Sequence, residues 1–147
     1  AGRKVEVSLP RAYHVYDVRR AKYVGHTDKL RPEFRVDFLA NLYACLPYRA
    51  EGLDVKPLQG AVKRGGEAAF DIALKADGPA GRHVFRVEVR DPGGRPVPKY
   101  CYDFEAPGGA GRARVYLALN DAVGGWKVKA TDVATGASAE ASFSVEP

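Results

Sequence analysis

The sequence predicts an all-β fold: an antiparallel immunoglobulin-like β-sandwich, preceded by a smaller strand-rich segment that closes or packs on a sandwich. Three observations predict it. Apolar and polar residues alternate with period 2 in segment after segment, as in Trp126, Val128 and Ala130 against Lys127, Lys129 and Thr131. Turn signals such as KRGGE, DPGGRP, APGGAG and DVATG punctuate the second two-thirds of the chain every ~8–12 residues. The last two alternating runs, Gly124 to Thr131 and Ala139 to Val145, flank a short Thr-Gly reversal and read as a closing hairpin.

In chain order, KVEVSLP is the first strand expected, with Val5, Val7 and Leu9 on one face and Pro10 ending it. Tyr13, Val15 and Asp17 then alternate with His14, Tyr16 and Val18. A reversal at Arg20-Ala21-Lys22 leads into Tyr23-Val24-Gly25, making a hairpin. The run from Phe34 to Leu46 fits two templates. It alternates for longer than a strand of about 5–6 residues does, and Leu39, Leu42, Tyr43 and Leu46 also have helical spacing, with Asp37 as N-cap. Two strands, Glu33 to Phe38 and Asn41 to Leu46, with a turn near Leu39-Ala40, are preferred to a short helix.

Pro47 to Gly52 reads as a linker, which divides the chain into residues 1–51, a β-hairpin-rich end of a preceding sandwich, and residues 52–147, a sandwich of about seven strands. Those strands are LDVKPL, Ala68 to Leu74, His83 to Val89, VPKYCYDFEA, Ala113 to Leu119 and the two of the closing hairpin. Tyr100, Tyr102 and Phe104 share one face of the fourth. Trp126 is the expected core anchor. The Cys…Trp…Cys framework of antibody domains is missing, so the likeness to them is architectural.

A length of 147 residues suits one core or two small ones. The sequence has no apolar run of the ~20 residues a membrane helix needs, so membrane insertion is not expected. The net charge of +5 raises the question of nucleic acid. Its carriers, however, are outward strand positions: Arg86, Arg90, Arg112, Arg114, Lys127 and Lys129, interleaved with Glu88, Glu140 and Glu146. A solvated face is therefore expected and no nucleic-acid partner. Cys45 and Cys101 lie in different segments. Two separate buried thiols are preferred to a bridge. The chain has no Met and begins Ala-Gly, which reads as a piece of a longer protein.

Two stretches carry resemblances. Tyr16-Asp17-Val18-Arg19, then Tyr23-Val24-Gly25, then Leu46-Pro47 resemble a β-sandwich module near the C-termini of large bacterial glycoside-hydrolase-like proteins, β-galactosidase-like ones among them. Such sequences usually place a glycine in the hairpin turn, where this chain has Arg20-Ala21-Lys22. From Leu53 to Val145, the order HVFRVEV, Asp-Pro-Gly, a tyrosine strand, ALND, Gly-Trp, DVATG and Phe-x-Val is similar to immunoglobulin-like modules appended to secreted bacterial enzymes and to macroglobulin-type repeats. The resemblance implies a non-catalytic accessory region of a larger exported bacterial protein, secreted, periplasmic or on the cell surface, with the rest of that polypeptide as its partner.

No residue is assigned a catalytic, cofactor-binding, metal-binding or ligand-binding role, and no cofactor is expected. His14, His26 and His83 have no partner at metal-ligand spacing, and His83 reads as a satisfied core histidine. Asp71, Glu88 and Glu105 fall on outward faces or loops, unlike the close carboxylate pair of a retaining glycosidase. The Gly-rich spots precede no helix of the phosphate-binding kind. Tyr13, Tyr16, Tyr23, Tyr100 and Tyr102 could stack sugar rings if exposed, which makes a carbohydrate-binding module the alternative reading. Core or inter-module packing is preferred for them.

Overall fold

The computed structural model describes residues 5–34 and 40–147. The fold is all-β, with eleven strands among the described residues: β1 (Val7–Asp17), β2 (Lys22–Leu30), β3 (Tyr43–Leu46), β4 (Ala50–Pro57), β5 (Ala61–Lys63), β6 (Glu67–Ala76), β7 (His83–Arg90), β8 (Tyr102–Ala106), β9 (Ala110–Tyr116), β10 (Gly124–Asp132) and β11 (Ser138–Glu146). They form three sheets, ordered β2-β1-β3, β4-β6-β9 and β5-β11-β10-β7-β8. The last two pack face to face as a β-sandwich. Phe70 of one meets Phe143 of the other edge-on, at 5.2 Å between ring centroids.

Alternation explains the sandwich. Along β7, His83, Phe85, Val87 and Val89 are buried while Val84, Arg86 and Arg90 are exposed, so every second side chain enters one core with Phe70, Ile72, Val115, Trp126, Val128, Phe143 and Val145. The closing hairpin pairs Trp126 with Phe143, Val128 with Ala141 and Ala130 with Ala139. Trp126 is 2% exposed, and its indole N–H donates to Ala122 O at 2.9 Å. The expected core anchor is thus in place.

Several expectations change. Pro10 does not end a strand, because β1 runs on to Asp17. Its pairing with β2 jumps from Ser8–Lys29 to Tyr13–Thr27, and Pro10 sits in that irregularity, where the ladder asks for no N–H. Val5 and Val7 are exposed, not inward. The expected strand from Glu33 to Phe38 falls mostly on residues 35–39, outside the described part, and so does the turn at Leu39. From Tyr43 to Leu46 the chain is strand and not helix.

The sandwich has eight strands rather than seven. The extra one, β5, is three residues long and pairs parallel with β11, so the pairing is not wholly antiparallel. The strand expected over VPKYCYDFEA begins with a 3-10 turn, Pro98–Tyr100, because Pro98 fixes the backbone at its start. That turn sends Tyr100 into the core, whereas Tyr102 and Phe104 are half-buried on β8. β9 stops at Tyr116, which leaves Leu119 80% exposed. The segment read as a linker already contains the start of β4 and a buried tyrosine, Tyr48.

Candidate functional site

Chemistry-bearing side chains converge most closely where the 47–49 segment meets the sandwich. His83, the first residue of β7, and Asp132, the last of β10, lie side by side because β7 and β10 pair up to Asp132–Phe85. Both side chains are sealed from solvent, 1% and 0% exposed. The His83 Nδ1 to Asp132 Oδ1 distance is 2.8 Å, and His83 Nε2 lies 2.7 Å from the Tyr48 hydroxyl. Gly81 N–H donates to that hydroxyl at 2.9 Å. On the far side, Asp132 Oδ2 accepts from the Thr135 hydroxyl at 2.5 Å and the Thr135 N–H at 3.1 Å.

The partners assign the protons. Tyr48 accepts from Gly81, so its own O–H is free to donate to His83 Nε2, and Nδ1–H then donates to the Asp132 carboxylate. The sequence supplies this chain locally: the DVATG reversal wraps Thr135 back onto the aspartate that starts it, while Gly136 takes the positive φ of 77° that the turn requires. A Tyr–His–Asp relay of this kind is poised to hold a proton in one place. Here both ring nitrogens are occupied and buried, so the relay acts as a joint.

A second joint lies nearby. The Tyr16 hydroxyl accepts from Ala50 N–H at 2.8 Å and donates to Ala50 O at 3.3 Å, tying β1 to β4. Arg49 N–H donates to Asp77 Oδ1 at 2.7 Å, and Asp77 N–H returns a bond to Arg49 O at 3.1 Å. A Cβ on Gly136 would stand 2.4 Å from the Cβ of Ala21, so only glycine allows this approach of the last turn of the sandwich to the first hairpin. Ala21 itself has φ 48°, the left-handed conformation usually left to glycine. A hollow of about 370 Å³ remains beside these contacts, lined in part by Tyr16, Tyr23, Glu51, Thr135 and Ser138.

Other sequence candidates are dispersed. Tyr16 and Tyr100 are buried. Tyr100 donates to Asp121 and accepts from Ala118 N–H, and burial of Asp121, which would raise its pKa, is outweighed by Tyr100, Ala118 N–H and Lys99, which hold it low. The Tyr102 hydroxyl accepts from Arg114 N–H at 2.8 Å. Arginines cover a ring face of the two half-buried hairpin tyrosines: Arg11 lies 4.9 Å from the Tyr13 centroid, and Arg49 lies 5.1 Å from that of Tyr23. Tyr116, which sequence reasoning passed over, is 66% exposed.

Asp71 is gripped by Arg112 through two bonds of 2.7 and 3.2 Å, which lowers its pKa. Glu105 pairs with Arg82, and Glu88 lies opposite Lys129. Cys45 and Cys101 are both free and half-buried rather than fully buried, and burial pushes the Cys45 thiol up. Among the described residues, no helix is long and apolar enough to cross a membrane.

One histidine pair was invisible in spacing. The β1–β2 register sets His14 opposite His26, with ring centroids 4.5 Å apart, although twelve positions separate them in sequence. Folding the sequence about the Arg20-Ala21 turn would have found it.

No protein-family profile and no curated protein matches the sequence. Among solved structures, the chain is similar to dimeric latent PorU from Porphyromonas gingivalis, at 17% identity over 81% of this chain and 11% of that one, with a TM-score of 0.49. It is also similar to a CARDB domain from Pyrococcus furiosus, solved with di-metal ions, at 14% identity over 65% of this chain and 86% of that one, with a TM-score of 0.43. A β-glucosidase from Listeria innocua matches at 14% identity over 63% of this chain and 16% of its own, with a TM-score of 0.43. At these values no residue role is carried over.

Proposed function

We propose that the chain is a non-catalytic accessory region of a larger exported bacterial protein, carbohydrate-active as a whole, in which it serves as a rigid spacer and packing surface. It would consist of two units, residues 1–51 and 52–147, held in one orientation. The observation that carries the reading is the sealed chain of Tyr48, His83, Asp132 and Thr135, together with the Tyr16 bonds to Ala50. The residues with the most chemical potential are spent on fixing the connection between the first sheet and the sandwich. A joint whose donors and acceptors are all internally satisfied resists bending, since each broken bond leaves a buried polar group costing ~1–3 kcal/mol. The exported, bacterial and carbohydrate-related parentage rests on the sequence resemblances alone.

The test is incubation of the 147-residue chain with a panel of plant and bacterial polysaccharides. The expected outcome is no hydrolysis and no change in Trp or Tyr fluorescence. Hydrolysis by the chain would overturn the reading. A saturable fluorescence change lost in Tyr116→Ala would replace it with the carbohydrate-binding alternative.

A further inference from the structure

We propose that His14 and His26 form an open two-histidine site for a divalent d-block cation such as Zn²⁺ or Ni²⁺. The residues face each other in antiparallel register across β1 and β2, so their side chains leave the same face of the hairpin. Their rings are stacked at 4.5 Å between centroids and 20° between planes. One cation with two metal–nitrogen bonds of ~2.0–2.1 Å spans up to about 4.2 Å between the nitrogens. The ring separation is of that order, and rotation of the exposed His26 side chain out of the stack brings its lone pair toward a metal held by His14.

The half-buried His14 is already oriented. Its Nδ1 lies 2.8 Å from the Tyr23 hydroxyl, and the two rings are stacked at 6.0 Å. With Nδ1–H donating to Tyr23, the lone pair is on Nε2, free to ligate. This is the arrangement in which metal-binding histidines are held by a neighbour on their other nitrogen. His83 makes the contrast, because both of its nitrogens are occupied inside the protein.

Imidazole donors favour zinc, nickel and copper, whereas calcium and magnesium take oxygen ligands. Among the described residues, no third His, Cys, Asp or Glu joins the pair. The other coordination positions belong to water or an incoming ligand, so the site is exchangeable and its metal plays no part in folding.

The experiment titrates the tag-free chain, carrying Cys45→Ser and Cys101→Ser to remove competing thiols, with zinc chloride and separately with nickel chloride. Histidine ring nitrogens are followed by NMR, and calcium chloride serves as control. The expected result is one saturable equivalent that perturbs His14 and His26, leaves His83 unmoved and does not appear with calcium. His14→Gln and His26→Gln should each weaken binding at least tenfold, and Tyr23→Phe should weaken it less. Intrinsic Trp126 fluorescence checks that each variant is folded, and the titration of the otherwise unchanged chain is decisive where one is not. Absence of a saturable change at both rings, or unchanged zinc affinity when His14→Gln and His26→Gln are combined in a folded chain, would overturn the proposal.

Discussion

The sandwich and the first sheet reach order by different routes. The sandwich closes its own core: Trp126, Phe70, Phe85 and Ile72 are at most 2% exposed, and both of its sheets feed one cluster. The first sheet buries Val15, Tyr16 and Leu30 but leaves Val7 and Val24 exposed, as are Val5 and Leu42 beside its strands, and it is tied to the sandwich by polar joints at Tyr16 and, in the segment that follows it, at Tyr48 and Arg49. One region is held by apolar burial, which is roughly additive in area. The other depends on directional bonds whose loss is local. Substitutions should therefore separate the two.

The largest effect is expected at Trp126. Trp126→Ala should destabilise the sandwich by about 3–5 kcal/mol in denaturant unfolding, and a change below about 1 kcal/mol would show that the ring is not a core anchor. Next is Asp132→Ala, which strips His83 Nδ1 and the Thr135 donors of their acceptor and should cost about 2–3 kcal/mol. Because the network bridges both regions, the change should also loosen the 47–49 segment. Tyr16→Phe removes only the hydroxyl bonds to Ala50 and should cost about 1 kcal/mol. Hydrogen exchange should quicken in β1 and at Ala50 while β7 and β10 stay protected; uniform loss of protection would erase the contrast between the regions.

The smallest effect concerns the exposed ion pair of Asp71 and Arg112. Arg112 depresses the Asp71 pKa, so the pair's contribution is present at neutral pH and is lost as pH falls through that depressed value. Asp71→Asn should flatten this part of the acid-side stability profile, its small loss of stability being seen at neutral pH and vanishing below the depressed pKa of Asp71.

Much of the sandwich was legible because its core obeys a short rule. Alternation placed Phe85, Val87, Val128 and Phe143 inward, and Gly-rich punctuation located the turns. Less was legible where the fold depends on contacts between distant segments. Three residues of β5 are too few to show a period, and their parallel partner lies at the far end of the chain. Tyr48 looked like part of a linker, since a single aromatic between Pro47 and Arg49 carries no pattern. The His83 pairing follows from β7 meeting β10, which spacing does not encode. The His14–His26 pair could have been found once the hairpin was accepted, by counting outward from its turn.

The claim that joins these observations is that the first sheet and the sandwich move as one body. Backbone ¹⁵N relaxation of the 147-residue chain tests it most directly. The account predicts a single rotational correlation time for the amides of β1–β2 and of β6–β11, and separation into two correlation times when Tyr16→Phe and Tyr48→Phe are combined. Two distinct correlation times in the unaltered chain would contradict it.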